Sequence, residues 1–140
     1  MRVLFDTDVV LDVILKRSPF FQVAQQLFDL HEEGRIEIFL AAITPINVFY
    51  LSRKHKGVAT ARQAISELLS SIKICPLNQA ILMDAQESSF KDFEDAVQHA
   101  SAAASGLDAV VTRNLKDFKQ ATLPVFSPPD FLNKLRTEST

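Results

Sequence analysis

The chain has 140 residues, a formal net charge of −2, and 47% hydrophobic residues. This length suits one compact domain, and the charge gives no sign of a strongly basic nucleic-acid surface, although clustered acids would mask a modest basic patch. A single cysteine excludes an internal disulfide and fits a reducing compartment. The opening MRVLFDTD has neither the length nor the polarity of a signal peptide or membrane span. We therefore expect a cytoplasmic protein without membrane contact, with one domain over 1–140 and a flexible tail over 135–140.

The first part of the chain alternates a strand pattern with a helix pattern. Arg2–Phe5 is a short apolar run that ends at an acid, which is typical of a buried strand. A helical pattern follows, and Ser18-Pro19 then has the cap-and-proline form of a second helix start. Gly34 ends that helix, and Ile36–Leu40 is the second predicted strand.

Two helices and a strand are predicted next. Thr44-Pro45 repeats the cap-and-proline form, and the helix that it starts ends at Gly57. Val58–Ser71 has the periodicity of an amphipathic helix. Ile72–Cys75 is the third predicted strand, which a proline closes.

The last part of the chain repeats the same alternation. Asn78 is a predicted N-cap, and Asp92 is the predicted N-cap of an alanine-rich helix. Ala109–Thr112 is the fourth predicted strand and Leu123–Phe126 the fifth, before a short helix that opens at Ser127-Pro128. Strands that alternate with helices, and that are apolar throughout, indicate a parallel sheet covered on both faces. The pattern thus predicts an α/β fold of three α/β/α layers around a central parallel sheet of four to five strands.

Polar side chains cluster just after two of these strands and at the start of the alanine-rich helix. Open parallel sheets bind ligands beyond the carboxyl ends of their strands, so these side chains are the candidates for a site. Oxygen ligands of this kind suit a hard divalent cation such as Mg²⁺ or Mn²⁺. The candidates are Asp6 and Asp8 after the first strand, Thr112, Arg113, Asn114 and Asp117 after the fourth, and Asp92 and Asp95 at the helix start.

Two segments carry a resemblance to a known family. The opening VLFDTDVVLDV and the central DFEDAVQHASAAASGLDAVVTRNLKDF resemble PIN-domain ribonucleases, with the toxins of VapBC-type toxin–antitoxin pairs as the closest subgroup. The resemblance covers nearly the whole chain, although between 41 and 77 only the order of elements matches. It implies a PIN-like fold and an endoribonuclease in which metal-activated water leaves a 5′-phosphate and a 3′-hydroxyl. It also implies a homodimer and an antitoxin that silences the site.

The resemblance assigns roles to particular residues. Asp6, Asp95 and Asp117 match the family's acids and are expected to ligate the metal and to be catalytic. Thr112 and Asn114 match its final polar cluster and are expected to position water or phosphate.

Other roles are assigned less directly. Asn47 stands where the family usually has a second acid, so it supplies an amide without a negative charge. Asn47 and Asp92 are further candidate metal ligands, and Arg113, Asp8 and Asn47 are candidate substrate contacts. Glu94 is expected to face elsewhere on its helix and to be solvated.

Other interpretations remain open at this point. Asp6 and Asp95 are also residues that cap helices or complement helix dipoles. The absence of an acid at Asn47 allows a PIN-like module that binds RNA or protein without cutting. Asp6-Thr7-Asp8 also matches the DxD start of haloacid-dehalogenase-type phosphatases, although Val10 stands where that family has a hydroxyl.

Overall fold

The computed structural model describes residues 1–138, and a five-stranded parallel sheet lies at its centre. The strands are β1 (Arg2–Phe5), β2 (Glu37–Ala41), β3 (Lys73–Cys75), β4 (Ala109–Val111) and β5 (Val125–Phe126). The helices are α1 (Thr7–Ile14), α2 (Phe21–Glu32), α3 (Ile43–Lys56), α4 (Val58–Ser71), α5 (Gln79–Glu87), α6 (Phe93–Ala104) and α7 (Pro128–Glu138). Leu115–Phe118 adds one 3₁₀ turn.

The order of the strands across the sheet is β3-β2-β1-β4-β5. β1 lies in the middle and pairs in parallel with β2 on one side and β4 on the other, with Leu4 opposite both Phe39 and Val110. The chain builds outward from β1 through β2 and β3, then returns to the other side of β1. This reversal places a crevice between the carboxyl ends of β1 and β4.

Side chains of each strand alternate between two buried layers. Val3 and Phe5 enter the larger core, where helices α1, α2, α3, α4 and α7 cover the sheet. Leu4 and Val110 point the other way and pack against Ala102 of α6. Period-two alternation with both faces buried explains why the strands are apolar throughout. The predicted three-layer α/β fold is confirmed.

Some predicted helix starts are displaced. Ser18 and Pro19 lie in a turn in which the Phe20 and Phe21 amides donate to the Arg17 carbonyl, and α2 begins only at Phe21. Thr44 lies inside the first turn of α3 and not at its cap, since its hydroxyl is buried against Thr7. In contrast, Asn78 caps α5 as predicted, by accepting the Ile81 amide at 3.0 Å.

The end of the chain is helical as far as the structure describes it. α7 continues to Glu138, so most of the predicted tail over 135–140 is helical, and 139–140 lie outside the described residues. That residues 1–140 form one domain stays a prediction. Over residues 1–138, no helix combines the length and apolar character needed to cross a membrane.

Candidate metal-binding site

The site lies in the crevice between β1 and β4. Asp6 directly follows β1, and its backbone amide continues the sheet by donating to the Val111 carbonyl at 3.0 Å. Alternation along β1 turns the Asp6 side chain to the face that Leu4 occupies, which is the face covered by α6. The first predicted acid is therefore delivered to the switch point of the sheet.

Asp6 is buried and held from two sides. Gln98 of α6 donates to one carboxylate oxygen at 3.0 Å, and the Thr112 hydroxyl donates to the other at 2.6 Å. Although Asp6 occupies the N-cap position of α1, its side chain makes no capping bond. Burial raises its pKa, and the bonds from Thr112 and Gln98 oppose that rise. The contacts fix the carboxylate at the crevice, which a capping role would not do.

The N-terminus of α6 brings three more acids to the same place. Asp92 caps this helix by accepting the Asp95 amide at 2.9 Å, as predicted. Glu94 and Asp95, in the first turn, face the pocket together with Asp6. The prediction that Glu94 faces elsewhere is wrong, because its carboxylate accepts the Thr7 hydroxyl at 3.3 Å.

Six carboxylates and no basic side chain line the resulting pocket, within the described part of the chain. The pocket has a volume of about 490 Å³ and opens to solvent. Its walls also contain the predicted Asn47 and Asn114, with the aromatic ring of Tyr50 at the side. The acids are Asp6, Asp8, Asp92, Glu94, Asp95 and Asp117.

The crowding of negative charge is greatest at Asp95. Burial and the nearby carboxylates of Asp6, Asp92, Asp117 and Glu94, in that order, raise the pKa of Asp95 to about 7. Such a shift means that burial and repulsion between the carboxylates together favour the protonated form of Asp95. A bound cation would relieve the repulsion.

Residues after β4 close the other side of the crevice. Asn114 donates from its amide to Asp8 at 2.9 Å, so these two predicted site residues form a pair. Asp117, in the 3₁₀ turn, is exposed and lines the pocket. The loop after β4 thus contributes the side-chain amide of Asn114 and the exposed carboxylate of Asp117 to the pocket wall.

Two predicted site residues, Thr112 and Arg113, do not line the pocket. Thr112 is fully buried, and its hydroxyl donates to Asp6 and accepts the backbone amide of Asn114 at 3.0 Å. The Arg113 guanidinium is paired with buried Asp12 and stacks on the Phe20 ring, so the geometry does not favour the predicted substrate contact.

The sequence reasoning placed Glu94 wrongly and missed Gln98 and Asp12. Glu94 and Gln98 are four apart on α6 and share a face, but this spacing does not state that the face meets Asp6. Asp12 interrupts the apolar pattern of α1 at a position that is fully buried. A buried acid in such a pattern requires a partner, although nothing local identifies Arg113 as that partner.

The donor set fits a hard divalent cation. All the available ligands are carboxylate and amide oxygens, and Gln98 leaves its buried Oε1 without a partner beside Asp6. Among residues 1–138, no three His, Cys, Asp or Glu side chains converge into a ready-made metal cage. Mg²⁺ takes only one or two carboxylates from protein and keeps several waters, so an open acidic pocket is sufficient. Asp6 and Asp95, the predicted ligands, both line this pocket.

Comparison with known proteins identifies the family. The family model described as PIN domain matches residues 2–116, and the chain therefore belongs to the PIN domain family. The matched region contains Asp6, Asp95 and Asn114. Membership of this family disfavours the phosphatase interpretation. Among curated proteins, none matches this chain.

Solved structures share the fold. A chain of a toxin–antitoxin complex from Klebsiella pneumoniae is 27% identical with a TM-score of 0.66, over 90% of this chain and 97% of that one. A chain of DNA-bound VapBC from Salmonella typhimurium is 16% identical with a TM-score of 0.70, over 91% and 98%. VapC20 of Mycobacterium tuberculosis, described as a Sarcin-Ricin loop cleaving toxin, is 12% identical with a TM-score of 0.63, over 77% and 86%.

Proposed function

We propose that this chain is a Mg²⁺- or Mn²⁺-dependent endoribonuclease and the toxin of a toxin–antitoxin pair. The observation that carries the proposal is the pocket of six carboxylates at the switch point of the sheet. Among the described residues no basic side chain lines this pocket, although Arg17 lies 3.7 Å from Asp8 and pairs with that one acid. Membership of the PIN domain family and the similarity to chains of toxin–antitoxin complexes support it. The similarity to VapC20, described as a Sarcin-Ricin loop cleaving toxin, supports RNA as the substrate.

Each residue of the pocket has a distinct role in this proposal. Asp6 and Asp95 hold the cation, and Asp117 supports it from the 3₁₀ turn. When bound, such a metal supplies a nucleophilic hydroxide and neutralises charge on the departing oxygen. Thr112 and Gln98 orient Asp6 through their hydrogen bonds, and Asn114 holds Asp8 at the pocket wall.

Partners and setting belong to the same proposal. Large hydrophobic side chains of α3, namely Ile46, Tyr50 and Leu51, are 52%, 55% and 40% exposed. We assign this surface to protein contacts, either in a homodimer or with an antitoxin that covers the pocket. A cytoplasmic location agrees with RNA as substrate and with the unpaired Cys75.

Calorimetric titration of Mn²⁺ tests the acidic site before any RNA target is known. We expect saturable binding by the wild-type protein and none by an Asp6→Asn/Asp95→Asn variant. The matched control is Asp84→Asn/Glu87→Gln, which removes two exposed acids from α5 and should bind as wild type does. Equal binding by all three proteins would show that the metal is held elsewhere and would contradict the proposal.

A module that binds without cutting is the second candidate, and Asn47 is the observation that favours it. The two candidates separate in a cleavage assay with Mn²⁺ and a mixture of cellular RNAs. Cleavage by the wild type but not by Asp95→Asn establishes the enzyme. Metal-dependent RNA binding without cleavage establishes the module.

A further inference from the structure

Glu94 shares the pocket wall with Asn47, the residue that stands at the position of the missing acid. Asn47 on α3 and Glu94 on α6 both line the pocket. Glu94 comes from a different element, 47 residues further along the chain. It nevertheless brings its negative charge to the side of the pocket that α3 forms.

A hydrogen bond holds the Glu94 carboxylate in this position. The Thr7 hydroxyl lies 3.3 Å from Glu94 Oε1 and 3.0 Å from the Thr44 hydroxyl. A hydroxyl has one proton to donate, so donation from Thr7 to Glu94 requires that Thr44 donate to Thr7. Thr7 and Thr44 are both buried, and the chain of bonds therefore ties α6 to α1 and α3.

The acids around Glu94 agree with this placement. Glu94 lines the same pocket as Asp6, Asp92 and Asp95. A solvated side chain on the far face of α6 would not reach any of these groups. Glu94 is thus part of the same cluster of acids as the two residues assigned to the metal.

We infer that Glu94 supplies the carboxylate that Asn47 does not, and that Thr7 positions it toward the bound cation. The inference rests on the proposed metal-dependent function and identifies a further residue for it. The acid that the family usually has at the position of Asn47 on α3 is thus replaced here by an acid in the first turn of α6.

Mn²⁺ titration of single and exchanged variants tests this inference. Glu94→Gln keeps the shape of the side chain, and we expect its Mn²⁺ affinity to fall at least about tenfold. Asn47→Glu/Glu94→Gln returns an acid to α3, and we expect its affinity to recover to within a few-fold of wild type. Glu87→Gln, an exposed exchange of the same kind on α5, should leave the affinity unchanged. The melting temperature of each variant with and without Mn²⁺ provides a second readout.

The possible outcomes distinguish a failure of the role of Glu94 from a failure of the proposed metal-dependent function. If Glu94→Gln binds Mn²⁺ as tightly as wild type while Asp6→Asn/Asp95→Asn does not bind, the metal site stands and the role of Glu94 is refuted. Failure of the exchanged variant to recover affinity, with its fold intact, would also count against this replacement. If the wild-type protein itself binds no Mn²⁺, the proposed function fails and the role of Glu94 fails with it.

Discussion

Asp95 shows how a single residue of the site affects the stability of the protein. Its pKa lies at about 7 in the folded protein, against an ordinary value of 3.8. The folded state therefore binds this proton more tightly than the unfolded state does. For this group, stability is fully present below pH 3.8 and is lost as the pH rises through about 7. Ionisation of Asp95 in the folded protein therefore lowers the stability of the protein near neutral pH.

Replacing Asp95 should reveal this cost. We expect metal-free Asp95→Asn protein to melt at a higher temperature than wild type at pH 8, because the variant carries no charge to repel Asp6 and Asp117. The difference should shrink at pH 5, where Asp95 is protonated in the wild type. Thermal melts in a chelator at the two pH values measure it, with Asp84→Asn as the exposed control. A constant difference between pH 5 and pH 8 would contradict the shifted titration.

At the scale of secondary-structure elements, Asp12 joins α1 to the loop after β4. Its carboxylate is fully buried and accepts from Arg113 Nε at 2.8 Å and from Arg17 Nε at 2.9 Å. Arg113 follows β4 directly after Thr112, whose hydroxyl holds Asp6. The Asp12 ion pairs therefore stabilise the segment that positions Asp6, without facing the pocket themselves.

Loss of this pairing should destabilise the protein without any RNA present. We expect Asp12→Asn to lower the free energy of unfolding by about 2–4 kcal/mol, since it removes the charge that two arginines share. Arg113→Gln should cost more than Arg17→Gln, because the Arg113 side chain is the less exposed of the two. Urea denaturation measures all three variants. Wild-type stability of Arg113→Gln would leave this arginine free for the substrate contact that the sequence predicts.

At the scale of the whole molecule, the core depends on residues beyond the matched family region. The family model ends at residue 116, whereas β5 and α7 lie after it. Phe131 of α7 is fully buried in the larger core together with Val3 and Phe5 of β1. The last helix thus supports the central strand that delivers Asp6.

Truncation of Phe131 should show that dependence. We expect Phe131→Ala to lower the free energy of unfolding by about 3–5 kcal/mol, because it leaves a cavity beneath the sheet. Phe93→Ala removes an equal side chain that is 51% exposed, and we expect a change within about 0.5 kcal/mol. Denaturant unfolding of both variants makes the comparison. Equal losses would mean that α7 packs loosely on the sheet.

The sequence by itself determined the elements and the edge of the sheet at which the acids gather. Apolar runs identify the strands, and local side-chain bonds identify caps such as Asn78 and Asp92, because both signals depend on neighbours in the chain. The rule that parallel strands present their carboxyl ends at one edge then brings Asp6 and Asn114 together.

Only the tertiary structure decided how the side chains at that edge are paired. Helical periodicity states which residues of α6 share a face, but it does not state how α6 is rotated against the sheet. The orientation of Glu94 toward Thr7 therefore escaped prediction. Arg113 and Asp12 are separated by 101 residues, so their pairing depends on β4 lying beside β1. Strand order is a property of the packed molecule, and the contacts that it creates become visible only when the packing is known.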